Sequence, residues 1–244
     1  FYNEVDWQLS NALLKAEFPL NMANTEATYD LGLGSVRRGN NTETAYEVYA
    51  QYWADLTDRS GNYGISVLND SKYGWDKPAD NTIRLTLIHT PSTEKRYPHQ
   101  RDLDLGVNHF TYSIVGHKGT DRSGVVAASE QLNLPLVAYV APKHAGSLGR
   151  TFSMLESSTP QIGVRALKKA EDGDGIIVRL YEVNNSRTPV TLASAGKLCE
   201  ALETDLLENP VEERKLEVTD HTVSFTIKPY EILTLRLQMK GSQK

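Results

Sequence analysis

"IRLTLIH", residues 83–89, sets Ile83, Leu85, Leu87 and His89 at every second position, with Arg84 and Thr86 between them. A period of two sends successive side chains to opposite faces of an extended chain, so the stretch reads as a half-buried strand. The alternation recurs outward in both directions. In "LLKAEFPL" (13–20) Leu14, Ala16, Phe18 and Leu20 interleave with Lys15 and Glu17; in "HFTYSIV" (109–115) Phe110, Tyr112 and Ile114 fall together. "GIIVRLYEV" (175–183), "TVSFTI" (222–227) and "EILTLRL" (231–237) come later, parted by turn formers such as "DRSGNYG", "DGDG" and "NNSRTP". One helix is predicted, "RSGVVAASEQLN" from Arg122, stopped at Leu134-Pro135 because the residue before a proline avoids helical geometry. The fold class is all-β and antiparallel. A connector composition in "SSTPQIG" (157–163) predicts two domains, 1–158 and 159–244, the second a small β-sandwich.

The chain has 244 residues, 39% hydrophobic and 23% charged, with a net charge of −5. That composition is globular. The acids and bases are interspersed, which argues against nucleic acid as a partner, since phosphate neutralisation needs a concentrated basic surface. No apolar run approaches the ~20 residues that span a bilayer, so no membrane partner is expected. Cys199 is the single cysteine, which excludes an internal disulfide; beside Leu198 and Leu202 it reads as a small apolar filler. The opening "FYNEVDWQ" carries no initiator Met and no signal-type run, and is expected to be part of a longer polypeptide.

Motifs for cofactors fail on spacing. "GLGSVR" (32–37) has Arg37 where a dinucleotide fingerprint needs its third glycine, and reads as a strand-to-turn passage. "DRSGNYG" (58–64) has a late glycine and no closing glutamate for calcium, and reads as a tight turn. His89, His99, His109, His117, His144 and His221 show neither helical nor strand pairing, so no metal site and no cofactor are expected in this chain. Sequons occur at Asn40, Asn69 and Asn184. The richest stretch is "NDSKYGWD" (69–76). Tyr73 and Trp75 can offer flat faces to a sugar while Asn69, Asp70 and Lys72 bond hydroxyls, or the aromatics can cover a sheet end while the polar residues cap turns.

Seven ordered blocks carry a resemblance: "LLKAEFPLNM", "ATYDLGLGSVRRGNN", "YEVYAQYWADLTDRSGNYGISVLNDSKYGWD", "RLTLIHTP", "HFTYSI", "LNLPL" and "GVRALKKAEDGDGIIVRLYE". From about residue 5 to residue 238 the chain resembles the C-terminal region of family-38 glycoside hydrolases, the α-mannosidases, in their bacterial and cytosolic branch. The resemblance implies a β-supersandwich of the galactose-mutarotase-like kind followed by the small terminal sandwich. It implies that the nucleophile and the zinc ligands belong to an N-terminal catalytic domain absent here. The chain alone is therefore expected to be inactive, with no catalytic residue of its own. The implied partners are that catalytic domain and a mannose-containing glycan; the implied compartment is cytoplasmic. A severed docking face would also permit self-association into a homo-oligomer. Carried over to this chain, the family's rim loops imply Asp58, Arg59, Asn69, Asp70, Lys72 and Tyr73 as substrate-binding or domain-interface residues. Two rival readings are a free-standing carbohydrate-binding module stacking sugars on Trp75, Tyr73 and Trp53, and a mutarotase-like enzyme using His89 with Asp102. Fold likeness alone establishes neither.

Overall fold

The computed structural model describes residues 1–92, 97–211 and 214–240. Two compact units divide the chain, Phe1–Leu136 and Val137–Lys244. The first unit begins with β1 (Tyr2–Trp7), β2 (Ala12–Pro19), β3 (Glu26–Asp30), β4 (Ser35–Gly39) and β5 (Val48–Tyr49). It continues with β6 (Trp53–Thr57), β7 (Tyr63–Asn69), β8 (Gly74–Ala79), β9 (Thr82–Thr90), β10 (Gly106–Lys118) and helix α1 (Ser123–Asn133). The second unit holds β11 (Leu155–Ser157), β12 (Ile162–Lys169), β13 (Ile176–Glu182) and β14 (Thr188–Ser194). It ends with β15 (Leu198–Thr204), β16 (Glu217–Val218), β17 (Thr222–Ile227) and β18 (Ile232–Met239).

In the first unit a six-stranded sheet, ordered β1-β10-β7-β6-β3-β4, faces a four-stranded sheet, ordered β2-β9-β8-β5. All pairings are antiparallel. Tyr29, Leu56, Val67 and Phe110 from the first sheet meet Trp75, Ile83 and Leu85 from the second in one core. This is an all-β sandwich, as the alternation predicts. The second unit repeats the principle with β11-β14-β17-β16 and β12-β13-β18-β15 around Val178, Leu180, Leu192, Phe225 and Leu235. Ser157, the first connector residue, already belongs to β11, which pairs with β14 inside the second unit. Among the described residues no helix is long and apolar enough to cross a membrane.

Two features depart from simple alternation. At Leu14/Lys15 the β2–β9 register shifts, so Leu14 pairs Ile88 and Lys15 pairs Thr86. Leu87 is thus the extra residue of a bulge, which reverses the facing of residues 88–90. His89, expected on the face of Ile83 and Leu85, is exposed, and Ile88 and Thr90 are buried instead. Cys199 is a second correction. Leu198 and Ala201 point into the core, but a register shift between Leu198 and Glu200 turns the thiol outward, so it is exposed rather than a core filler.

Candidate functional site

The six-stranded sheet has a second face, built by the residues alternating with its core positions. Thr28 of β3 pairs with Asp55 of β6, which pairs with Ser66 of β7, and these side chains all point away from the core. α1 covers part of this face through buried Val125, Val126 and Ser129. Arg122, just before the helix, reaches Asp55 Oδ2 with Nε at 2.7 Å and Thr57 Oγ1 with Nη2 at 3.2 Å. Asp55 also accepts from Ser66 Oγ and Thr57 Oγ1, each at 2.8 Å, and lies 2.7 Å from His117 Nε2. The carboxylate is fully buried. Burial by itself would raise its pKa, but the His117 hydrogen bond and the Arg122 charge outweigh it and hold the carboxyl below its ordinary value. The same hydrogen bond raises the imidazole of His117. The ring lies against Gly64, where a Cβ would come within 2.4 Å of Nε2, so a glycine is needed there for the imidazole to reach Asp55.

Over this cluster opens a polar cleft of about 190 Å³, rimmed by Glu26, Arg37, Asp58 and Arg59 with Asp55 and Arg122 at its floor. The turn after β6 forms one wall. Asp58 Oδ2 accepts from Ser60 N at 2.9 Å and its carbonyl accepts from Gly61 N at 2.8 Å. Gly61 adopts φ 70, the left-handed conformation that the tight turn requires. The Ser60 hydrogen bonds hold the Asp58 carboxyl below its ordinary value. Arg59 Nη2 contacts Asp80 Oδ2 at 2.5 Å, tying the turn to the end of β8, while its side chain stays 59% exposed.

The loop after β7 lies elsewhere. β7 runs from Tyr63 to Asn69, so the two groups of candidate residues are separated by a strand of roughly 20 Å. Asn69 is fully buried; its Oδ1 accepts from Lys72 N at 2.6 Å and its Nδ2 donates to Gln51 O at 3.0 Å. Asp70 Oδ2 accepts from Thr111 N at 3.0 Å, fastening the loop to β10. Lys72 Nζ sits 5.0 Å from the Phe110 ring centroid. Tyr73 is 50% exposed and is the loop's free aromatic face. Asn69 therefore shapes the loop, while Tyr73, with the partly exposed Asp70 and Lys72, is what the loop presents.

Both rival sites are overturned. Trp75 is 0% and Trp53 3% exposed, because β6 and β8 carry them inward, so no stacking platform exists with Tyr73. His89 and Asp102 do not pair: Asp102 contacts Arg101, and the His89 backbone N–H donates to Asp104. Among the described residues no three His, Cys, Asp or Glu side chains converge as a metal set. The zinc implied for the family thus finds no fitting donors among them. Two sequons are also spent internally, Asn69 as above and Asn40 on Lys77 and Asp80.

Comparison with known proteins gives the same assignment over most of the length. Residues 1–97 match the family profile "Glycosyl hydrolases family 38 C-terminal domain", and residues 161–235 match "Glycosyl hydrolases family 38 C-terminal beta sandwich domain". The chain belongs to glycoside hydrolase family 38, as its C-terminal region. It is 30% identical to human and to mouse alpha-mannosidase 2C1, over 98% and 99% of this chain. It spans only 23% of the length of either relative. An alpha-mannosidase structure from Enterococcus faecalis V583 superposes with a TM-score of 0.79 over 97% of this chain and 27% of that one; at 20% identity it supports the fold. In this family-38 region, the residue set that sequence reasoning missed is Asp55, His117 and Arg122. The available signal was Asp55 itself, an acid inside the apolar run "YWADL", where an outward position must find a buried counter-charge.

Proposed function

We propose that this chain is the non-catalytic C-terminal region of a retaining α-mannosidase that hydrolyses terminal α-mannosyl residues of glycans in the cytoplasm. In this reading it buttresses the catalytic part and sets the 69–73 loop, through Asp70, Lys72 and Tyr73, towards substrate or the domain that holds it. The carrying observation is that both matched profiles are C-terminal domains and that the chain spans 23% of its relatives. The attacking aspartate, the acid that protonates the leaving oxygen and the zinc that holds sugar hydroxyls then belong to residues outside this chain.

The chemistry of the carboxylates supports the reading. A glycosidase needs a general acid with a raised pKa near a second, free carboxylate. Here Asp55 is saturated by four partners. Asp76, also buried, is engaged by Lys15, Arg84 and Asn41, and although burial alone would raise it, these contacts lower its pKa. Both acids are built to stay ionised and paired. The Asp55–His117 pair resembles what a mutarotase-like enzyme would use, but the His117 side chain is 9% exposed and Arg122 closes over the acid.

Calorimetric titration of the purified chain with mannose and an α-linked mannobiose separates this reading from the module. The expected result is no saturable heat at millimolar sugar, because a rim loop without its catalytic partner supplies only part of a site. Saturable binding by the chain alone would favour the module.

A further inference from the structure

Every residue from 137 to 154 is exposed, and the stretch carries neither helix nor strand. Among the described residues no backbone–backbone hydrogen bond joins residues 137–153 to another element. Structureless segments longer than about 12–15 residues are uncommon in compact domains and are usually either functional or linkers. The composition is not that of a solvated linker. Tyr139 is 88% exposed, Val140 105%, Phe152 57% and Met154 48%. No Asp or Glu occurs between Glu130 and Glu156, whereas Lys143, His144 and Arg150 do, in a chain of net charge −5. At the end of the stretch Phe152 and Met154 join Leu167, Ile176, Leu237 and Met239 around an apolar pocket of about 160 Å³. A dry cavity of about 150 Å³ accommodates a benzene ring, so the pocket suits one large apolar side chain.

We infer that residues 137–154, with this pocket, are a docking strap for the portion of the parent polypeptide that this chain does not include. The inference rests on the function proposed above and adds the surface through which the buttressing acts. The chain spans 23% of its relatives, so the larger part of such a parent is available as an intramolecular partner. Concentrations of exposed apolar side chains mark interaction sites, and Val137, Tyr139, Val140, Leu148, Phe152 and Met154 are all exposed along this one segment. The acid-free, basic edge selects a partner surface that is apolar at its centre and acidic at its rim. Strap-on-strap pairing of two copies is disfavoured, since it would bring together two basic edges that hold no acid.

Hydrogen–deuterium exchange of the intact parent and of the 244-residue chain alone tests this. Amides of 137–154 should exchange at least about tenfold more slowly in the parent, as expected of a segment whose local opening is suppressed. Tyr139→Ser and Phe152→Ser should each weaken assembly of the chain with the separately produced remainder by roughly thirtyfold, as hot-spot aromatics do. Tyr139→Ser should leave the unfolding midpoint of the chain alone in place, because that side chain is 88% exposed. Equal exchange in parent and chain, unaltered assembly of the variants, or protection that grows with concentration of the chain alone would overturn the inference. An active parent with an unprotected strap would sink the strap and leave the proposed function standing. A protected strap in a parent without α-mannosidase activity would do the reverse.

Discussion

Asp55→Asn is expected to destabilise the first unit by about 3–5 kcal/mol, the range for removing one partner of a buried ion pair. The amide keeps the shape of the carboxylate but removes the buried negative charge that Arg122 and protonated His117 contact at the floor of the cleft. The dependence on pH is part of the expectation. The Asp55 carboxyl is held below its ordinary 3.8, so its contribution is present above that value and lost as pH falls through the folded value. His117 is raised above its ordinary 6.5, so its contribution is complete below 6.5 and lost as pH rises through the folded value. Both are in place between 3.8 and 6.5. Urea unfolding of wild type and variant should therefore show the larger difference in mildly acidic buffer and a smaller one in alkaline buffer. Adding Arg122→Met to Asp55→Asn should recover part of the loss, because an uncompensated charge is removed. Equal stability of wild type and Asp55→Asn in mildly acidic buffer would contradict the ionic role.

Lys77→Met is expected to cost about 2–4 kcal/mol, since it strands buried acceptors that a thioether cannot satisfy. β8 breaks register with β9 between Asp76 and Ala79, and there Lys77 turns inward, 1% exposed. Its Nζ donates to Asn24 O at 2.6 Å, and to Asn40 Oδ1 and Ala79 O at 2.7 Å each. These acceptors are neutral, and burial brings the ammonium down from 10.5 to about 8, with Asp80 opposing the shift. Between those two values the unfolded chain holds a proton that the folded chain has released. Stability then rises with pH across the window from about 8 to 10.5. Wild type should show this slope and Lys77→Met should lack it, so the gap between them widens as pH increases. A gap that stays constant or narrows would show that Lys77 remains charged throughout.

The strands were legible because a period of two leaves a trace in the residues themselves. "IRLTLIH", "HFTYSIV" and "TVSFTI" lie within β9, β10 and β17, and the helix runs Ser123–Asn133, ending just before Leu134-Pro135. What escaped was long-range or depended on one inserted residue. The bulge at Leu87 moved His89 outward, and the register shift after Leu198 did the same to Cys199; alternation cannot signal either, since each is a property of two strands together. The ionic cluster joins Asp55 to Arg122 across 67 positions, a pairing that no local spacing announces. Tryptophans were the most misleading residues: Trp53 and Trp75 look like sugar platforms in a polar sequence context, yet each is carried into the interior by its strand. The resemblance located the 58–59 turn and the 69–73 loop, but β7 holds them at its opposite ends.

The most direct measurement is hydrolysis of an aryl α-mannoside by the purified 244-residue chain, beside the intact parent, with and without chelator. Turnover by the parent should be abolished by chelation, and a folded preparation of this chain should show none. Chelator-resistant turnover by the chain alone would contradict the proposed function, because the bond-breaking groups would then have to lie among the carboxylates described here.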